Sequence, residues 1–320
     1  MTESITRNVR IRRLYDEAAD IRSFELVEAD GRPLPPFDAG AHIDVHLGEG
    51  LTRQYSLINT TDADGSYRIA AKLEANSRGG SRRMHALAEG DVLNIGVPRN
   101  NFALDFAASH TVLLAGGIGV TPLLGMALHL LANGASFSLD YFARSPETMA
   151  FAGEIGRSPL SQRTRFHFGL DGNATSAELE NLLRAPPPGT HVYACGPAPF
   201  MQAVRDVMAA RPEAVLHLEY FTADPVTSLL PAGSFRVKLA KSDRTIMVEA
   251  EQTIVEALKA AGITVETSCE QGVCGTCLTT VLAGRPDHRD MLLTEEEQAA
   301  GDKMLLCVSR SQDPELLLDL

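Results

Sequence analysis

TVLLAGGIGVTPLLGMALHLL, residues 111–131, is apolar for about as long as a membrane-spanning helix requires. Its middle decides the fold. Gly116, Gly117, Gly119 and Pro122 interrupt the run. A helix interior tolerates such a cluster badly, because glycine carries excess backbone entropy and proline lacks an N–H. The stretch therefore reads as strand, glycine turn and helix, not as a membrane span. Small residues in that turn let a pyrophosphate approach backbone N–H groups at the start of the helix, although G-x-G-x-x-P lacks the third glycine of the dinucleotide fingerprint. A tight strand–helix turn without a ligand has the same sequence.

Toward the C-terminus the texture continues. Apolar strands (FSLDYFAR, TRFHFGL, HVYACGP) alternate with helical stretches (PLLGMALHLLANG, PFMQAVRDVMAA), which predicts a parallel sheet with crossover helices over 107–225. Cys195, Gly196 and Pro197 close a later strand of that sheet. Ligands of open α/β sheets sit beyond the carboxyl ends of strands, so this loop and the glycine turn can line one crevice. Cys195 taken alone reads as a small buried hydrophobe. Toward the N-terminus, RNVRIRRLY, IRSFELVEA, GAHIDVHLG, RQYSLIN, YRIAAKLE and GDVLNIGVP alternate between turn signals, which predicts a small antiparallel β-barrel over 1–106. DPVTSLLPAGS (224–234) has the composition of a linker, placed at 226–234. Residues 235–320 offer strands at SFRVKLA, RTIMVEA, CLTTVLAG and KMLLCVS and a helix at TIVEALKAAG.

Four of the five cysteines lie past residue 268: Cys269, then four residues, Cys274, two residues, Cys277, and twenty-nine residues to Cys307. This is the spacing of plant-type [2Fe–2S] centres. Two irons need four thiolates; a short loop wraps three, and the fourth arrives from elsewhere, here from the strand MLLC. Gly272 and Gly275 let the loop bend and turn N–H groups toward the sulfurs. Zinc also accepts four cysteines, but zinc ribbons usually pair two Cys-x-x-Cys knuckles and this chain has one.

Composition narrows the partners. With 29 basic against 41 acidic residues the net charge is −12, and no basic tract is present, which argues against nucleic acid and anionic membrane. An odd cysteine count and an N-terminus without an apolar signal run predict a cytoplasmic location. In the barrel half, Arg53 and Ser56 can bind phosphate and ring polar atoms, and Tyr55 can cover an aromatic ring. Gly79, Gly80 and Ser81, flanked by Arg78, Arg82 and Arg83, offer donors to a phosphate; a solvated arginine turn has the same composition.

RQYSL (53–57), NSRGGS (76–81), AGGIGVTP (115–122), YACGP (193–197) and the cysteine spacing, in this order, resemble phthalate dioxygenase reductase and the reductases of vanillate demethylases. DHRDMLL (287–293) and the closing CVSR…ELLLDL fit the same family. The resemblance spans nearly the whole chain. It implies an N-terminal FMN barrel, a central NADH domain and a C-terminal β-grasp ferredoxin domain. Arg53, Gln54, Tyr55 and Ser56 would hold FMN, with Lys72 nearby and Gly79, Gly80 and Ser81 at its phosphate. Gly116, Gly117, Gly119, Thr121, Pro122, Cys195, Gly196 and Pro197 would face NADH, and Phe221 would lie against the flavin. The implied chemistry is cofactor-borne: hydride from NADH, a flavin that converts two-electron to one-electron transfer, a [2Fe–2S] outlet, and a partner Rieske non-haem iron oxygenase. A haem monooxygenase or a carnitine-type oxygenase is the alternative acceptor, and a colourless zinc protein the remote one. The strand FSLDYFA runs into Arg144, where an arginine can grip a 2′-phosphate; one arginine is a thin clamp, and the resemblance implies NADH.

Overall fold

The computed structural model describes residues 6–48, 50–60, 65–75, 77, 79–222 and 233–320. The expected linker falls almost entirely outside them, as does Arg78. The chain forms two compact units, Met1–Glu219 and Tyr220–Leu320.

The first unit begins with six antiparallel strands: β1 (Thr6–Ala18), β2 (Ile21–Glu28), β3 (His42–His46), β4 (Thr52–Ser56), β5 (Tyr67–Lys72) and β6 (Val92–Gly96). Their order is β4-β3-β6-β1-β2-β5, and the outer strands β4 and β5 approach each other to close a barrel. Alternation does the work: Val9, Ile11, Phe24, Leu26, Ile43, Val45, Tyr67, Ile69, Leu93 and Ile95 fill the interior, each such side chain contributing about 1.5–3 kcal/mol of burial. Between β5 and β6 a short helix, α1 (Gly80–His85), stands where the sequence reads as an arginine turn. Its apolar contribution is the buried Met84 alone, too little periodicity to announce a helix.

The same unit continues with β7 (His110–Gly116), α2 (Val120–Ala132), β8 (Phe137–Ala143), α3 (Ala152–Arg157), β9 (Thr164–Phe168), α4 (Gly172–Leu182), β10 (Thr190–Cys195), α5 (Ala198–Met208) and β11 (Val215–Glu219). The five strands are parallel in the order β11-β10-β7-β8-β9. The chain moves to one side of β7 for β8 and returns to its other side for β10, so a topological switch point lies between β7 and β10. The 111–131 stretch is β7, a single 3₁₀ turn at Gly117–Gly119, and α2, as the interrupted pattern requires. Among the described residues no helix is long and apolar enough to cross a membrane. Barrel and sheet share a core in which Ile21, Ala39, Ile58, Ala70 and Phe102 meet Val120, Leu123, Leu124 and Ala127.

The second unit contains β12 (Phe235–Leu239), β13 (Thr245–Val248), α6 (Ile254–Ala260), β14 (Leu278–Ala283), β15 (Pro286–Asp287), α7 (Glu295–Ala300), β16 (Lys303–Leu305), β17 (Arg310–Ser311) and β18 (Glu315–Leu318). The main sheet runs β13-β12-β18-β14-β16, with β15 and β17 as a separate pair. Both helices start on a capping box, Thr253 with Glu256 and Thr294 with Glu297, and the acidic run 295–297 forms the first turn of α7. One expected strand is shorter than its sequence: β16 ends at Leu305, and Cys307 rides the turn that follows.

Candidate functional site

All five cysteines are buried. Four of them stand as two hydrogen-bonded pairs, Cys269 with Cys274 and Cys277 with Cys307. The bond from Cys269 holds Cys274 down at about 5, while Cys269 itself is pushed up, first by that bond and then by burial. Cys277 is lowered in the same way by Cys307. Backbone N–H groups of Gln271 and Thr276 donate to Cys269 Sγ at 3.3 Å and Cys274 Sγ at 3.5 Å. Gly272 and Gly275 have φ of +70° and +77°. A side chain at Gly272 would also meet Val308 at 2.5 Å and the Asp290 backbone at 3.1 Å. The DHRDMLL segment thus backs the loop: Met291 N donates to Gly272 O, and Asp290 accepts from Leu292 N and Leu293 N. Among the described residues no three His, Cys, Asp or Glu side chains gather as a site for one ion. Two thiol pairs are the donor set of two irons, two sulfurs to each, and the residues fit a [2Fe–2S] cluster.

At the carboxyl ends of the parallel strands the two small-residue loops touch through their backbones. A Cβ on Gly119 would lie 2.2 Å from Cys195 O and 2.7 Å from Gly196 N, and one on Gly116 would lie 2.9 Å from Pro197 Cδ. Gly116 and Gly119 are therefore brought against Cys195, Gly196 and Pro197 at the switch point, while Gly117, with open space around it, Thr121 and Pro122 continue the same turn into α2. Thr121 is buried and donates to Ile118 O at 3.1 Å, which closes the turn. Pro122 sits in the first turn of α2, where a missing N–H costs nothing. Arg144 follows β8 on the same side of the sheet, exposed; nearby Glu147 is held below the usual carboxylate range by Ser145. Burial pushes the Cys195 thiol well up, and Glu219 beside it adds to the shift.

Glu219 went unnoticed in the sequence. It pairs in register with Cys195 across β10 and β11, its Oε2 is buried without a hydrogen-bond partner, and burial raises it to about 8. An acid ending a strand next to the Cys-Gly-Pro strand was the available signal.

In the barrel, Arg53 and Gly80 are neighbours: a Cβ on Gly80 would meet Arg53 Cγ at 2.7 Å. Gly79 has φ +101°, and its N–H donates to Ser77 Oγ. Ser81 Oγ accepts from Glu74 N, while Lys72 Nζ pairs with Glu74 at 3.0 Å, so Lys72 joins the same neighbourhood. Gln54 Nε2 is buried without a hydrogen-bond partner, an orphan donor of the kind a bound flavin would satisfy. Tyr55 is sheltered enough that burial pushes its phenol up. Opposite Ser56 in register stands His42, buried and held down at about 4 by burial and by Arg99. The residues present fit a flavin phosphate at Arg53 and Gly80 and ring polar atoms along Gln54–Ser56. Phe221 belongs to the second unit and is 38% exposed.

The strand that carries Arg53–Ser56 abuts the helix that begins at the glycine turn. A Cβ on Gly125 of α2 would lie 2.7 Å from Leu57 O and 3.3 Å from Ile58 O.

Residues 237–312 match the 2Fe-2S iron-sulfur cluster binding domain. The chain is 44% identical to vanillate O-demethylase oxidoreductase of Acinetobacter baylyi, over 99% of both chains. The solved structure of phthalate dioxygenase reductase, a modular structure for electron transfer from pyridine nucleotides to [2Fe–2S], superposes with a TM-score of 0.76 at 38% identity, covering 98% of each chain. An intact type IV self-sufficient cytochrome P450 monooxygenase superposes with a TM-score of 0.84 at 38% identity; 99% of this chain matches 41% of that one. With the barrel, the parallel sheet and the paired thiols in place, the chain belongs to the oxygenase reductase family of phthalate dioxygenase reductase and vanillate O-demethylase oxidoreductase, oxidoreductases that combine NADH, FMN and a [2Fe–2S] cluster.

Proposed function

We propose that this chain is the cytoplasmic reductase of a two-component system whose partner is a Rieske-type non-haem iron oxygenase acting on an aromatic substrate of the phthalate or vanillate class. The observation that carries this reading is the packing of Gly125 onto Leu57 O, which sets the nucleotide helix directly against the end of the flavin strand. In this assignment residues 1–106 bind FMN, 107–225 bind NADH, 226–234 link and 235–320 carry the cluster.

Arg53 supplies charge to the FMN phosphate, and Gly79, Gly80 and Ser81 supply donors. Gln54 and Ser56 bond ring polar atoms, and Tyr55 covers the ring and excludes water. Gly116, Gly117 and Gly119 admit the NADH pyrophosphate to backbone N–H groups at α2. Gly196 and Pro197 bound the nicotinamide side, with Cys195 as a compact neutral wall. FMN, when bound, supplies the exchange between a two-electron donor and one-electron acceptors. Cys269, Cys274, Cys277 and Cys307 hold the cluster, and the Gln271 and Thr276 N–H groups stabilise charge on its sulfurs. The cluster unit, with 15 acidic against 9 basic residues over 235–320, favours a partner with a basic docking patch.

Reconstitution with candidate oxygenases tests the proposal: NADH oxidation should rise on adding oxygenase and its aromatic substrate together. The likeness to the P450 fusion favours one second reading, a haem acceptor. Transfer to a haem monooxygenase but to no Rieske oxygenase would replace the first reading by the second.

A further inference from the structure

Strand β5 turns two faces to two cores. Tyr67, Ile69 and Ala71 fill the barrel, whereas Ala70 belongs to the core shared with α2 and β7. Arg68 and Lys72 lie on Ala70's side, Lys72 at the proposed FMN end and Arg68 at the other. From there Arg68 crosses into the nucleotide half. Its Nη2 donates to Glu17 Oε1 of β1 at 2.8 Å, and its Nη1 donates to Glu154 Oε2 of α3 at 2.7 Å. The guanidinium carbon lies 5.0 Å from the ring centre of Phe151 and 5.8 Å from that of Tyr15, one aromatic from each half. The side chain is 21% exposed, and its Nε is buried with no hydrogen-bond partner. A half-buried arginine with an unmet, buried Nε is a costly way to add stability alone.

What it grips is unusual as well. Phe151 is fully buried and has φ +62°, a left-handed conformation uncommon for a bulky residue and held only where the surroundings over-determine it. Phe151 ends the loop that leaves β8 at Arg144, beside the proposed NADH crevice, and Glu154 lies in the first turn of α3 that follows. The barrel meets that loop again where Ala19 N donates to Glu147 O at 3.4 Å.

We propose that Arg68 is a positioning residue for hydride transfer. By holding Glu154 and Phe151 to Glu17, it fixes the 144–151 loop and the start of α3, and with them the NADH that the loop borders, at a set distance from the flavin barrel. The inference rests on the NADH-to-FMN assignment. With both bound, NADH would supply a hydride (two electrons with one proton) to FMN, leaving NAD+ and reduced FMN, and the rate of that transfer would fall steeply with misplacement.

The test is anaerobic stopped-flow reduction of the FMN-loaded full chain by NADH and by NADH deuterated at the transferring position. It compares wild type, Glu154→Gln, Arg68→Lys and Arg68→Met. Glu154→Gln, which leaves the barrel intact, and Arg68→Met should each slow flavin reduction by about tenfold and alter the isotope effect, at unchanged FMN content. Arg68→Lys should recover part of the rate, and the Arg68→Met, Glu154→Gln double variant should be no slower than Arg68→Met. In the FMN-free chain, hydrogen exchange over 146–154 should quicken in both single variants. Wild-type reduction rates and isotope effects in folded variants would overturn the inference, whatever their Tm, as would unchanged exchange over 146–154. If NADH fails to reduce the wild-type flavin, the NADH-to-FMN assignment itself fails.

Discussion

Replacing Gly119 by alanine probes the contact between the two nucleotide loops. Gly119 has an ordinary helical φ of −61°, so alanine is not refused by conformation. It is refused by space: the added Cβ would stand 2.2 Å from Cys195 O and 2.4 Å from Cys195 C. Both are backbone atoms in a central strand, so neither can rotate away. Restoring a normal contact of about 3.4 Å requires the glycine turn and the Cys-Gly-Pro loop to part by about 1 Å, at a cost of about 1–3 kcal/mol of overpacking. The same ångström at the cofactor site costs about 10²-fold in the transfer step. Alanine at Gly134, which follows α2 away from the cofactor loops, is the control, since open space surrounds it and only its φ of +64° resists, at about 1–2 kcal/mol. The assay is steady-state NADH oxidation with a small one-electron acceptor, alongside FMN and iron content. Gly119→Ala should keep both cofactors, melt a few degrees lower and lose about two orders of magnitude in kcat/KM. Folded Gly119→Ala with wild-type kcat/KM would refute the claim that these loops jointly seat NADH.

Cys274→Ser should abolish the cluster's visible absorbance and transfer to one-electron protein acceptors, yet leave NADH reduction of FMN intact; loss of flavin reduction in the folded variant would contradict independent sites. NADH should exceed NADPH in kcat/KM, and Arg144→Ala should change NADH use only modestly; a preference for NADPH that this variant abolishes would show Arg144 gripping a 2′-phosphate. Flavin released by heat should chromatograph as FMN, and one equivalent of FAD would overturn the phosphate assignment at Arg53 and Gly80. Glu219 is raised from 4.5 to about 8, so its neutral form is the one the fold favours, and ionising it costs stability progressively as pH climbs from about 4.5 through 8. The Tm advantage of Glu219→Gln over wild type should therefore widen across that window and level off above it; a pH-independent difference would mean the carboxyl is not buried as described.

Much of this was legible where chemistry or periodicity is local. The cysteine spacing carries its own geometry, and the glycine cluster inside 111–131 announces a turn because no helix holds it. Strands β1, β2 and β6 alternate because one face packs into the barrel, whereas β5 packs on both faces. What escaped depended on distant residues. Helix α1 offers only Met84 to a core, so its turn looked like solvated arginines. Strand β18, ELLLDL, is short and apolar, which alone cannot separate a strand from a helix end. Glu219, His42 and Arg68 became notable only through partners 24, 57 and 86 positions away: Cys195, Arg99 and Glu154. Cys307 was expected in a strand, but the strand must end first so that the turn can deliver its sulfur to Cys277.

The placement of β18 has a consequence in time. It pairs with β12 in parallel register and with β14 in antiparallel register, so it occupies the middle of its sheet although it is the last described strand. During synthesis the barrel and the nucleotide sheet have all their strands long before β18 leaves the ribosome. Until then β12 and β14 have no common neighbour, and Phe235, Val237 and Val281 lack the cover of Leu316 and Leu318. The flavin half can mature during translation ahead of the cluster half, whose sheet closes only once β18 has been made. Iron delivery would then follow the making of β18.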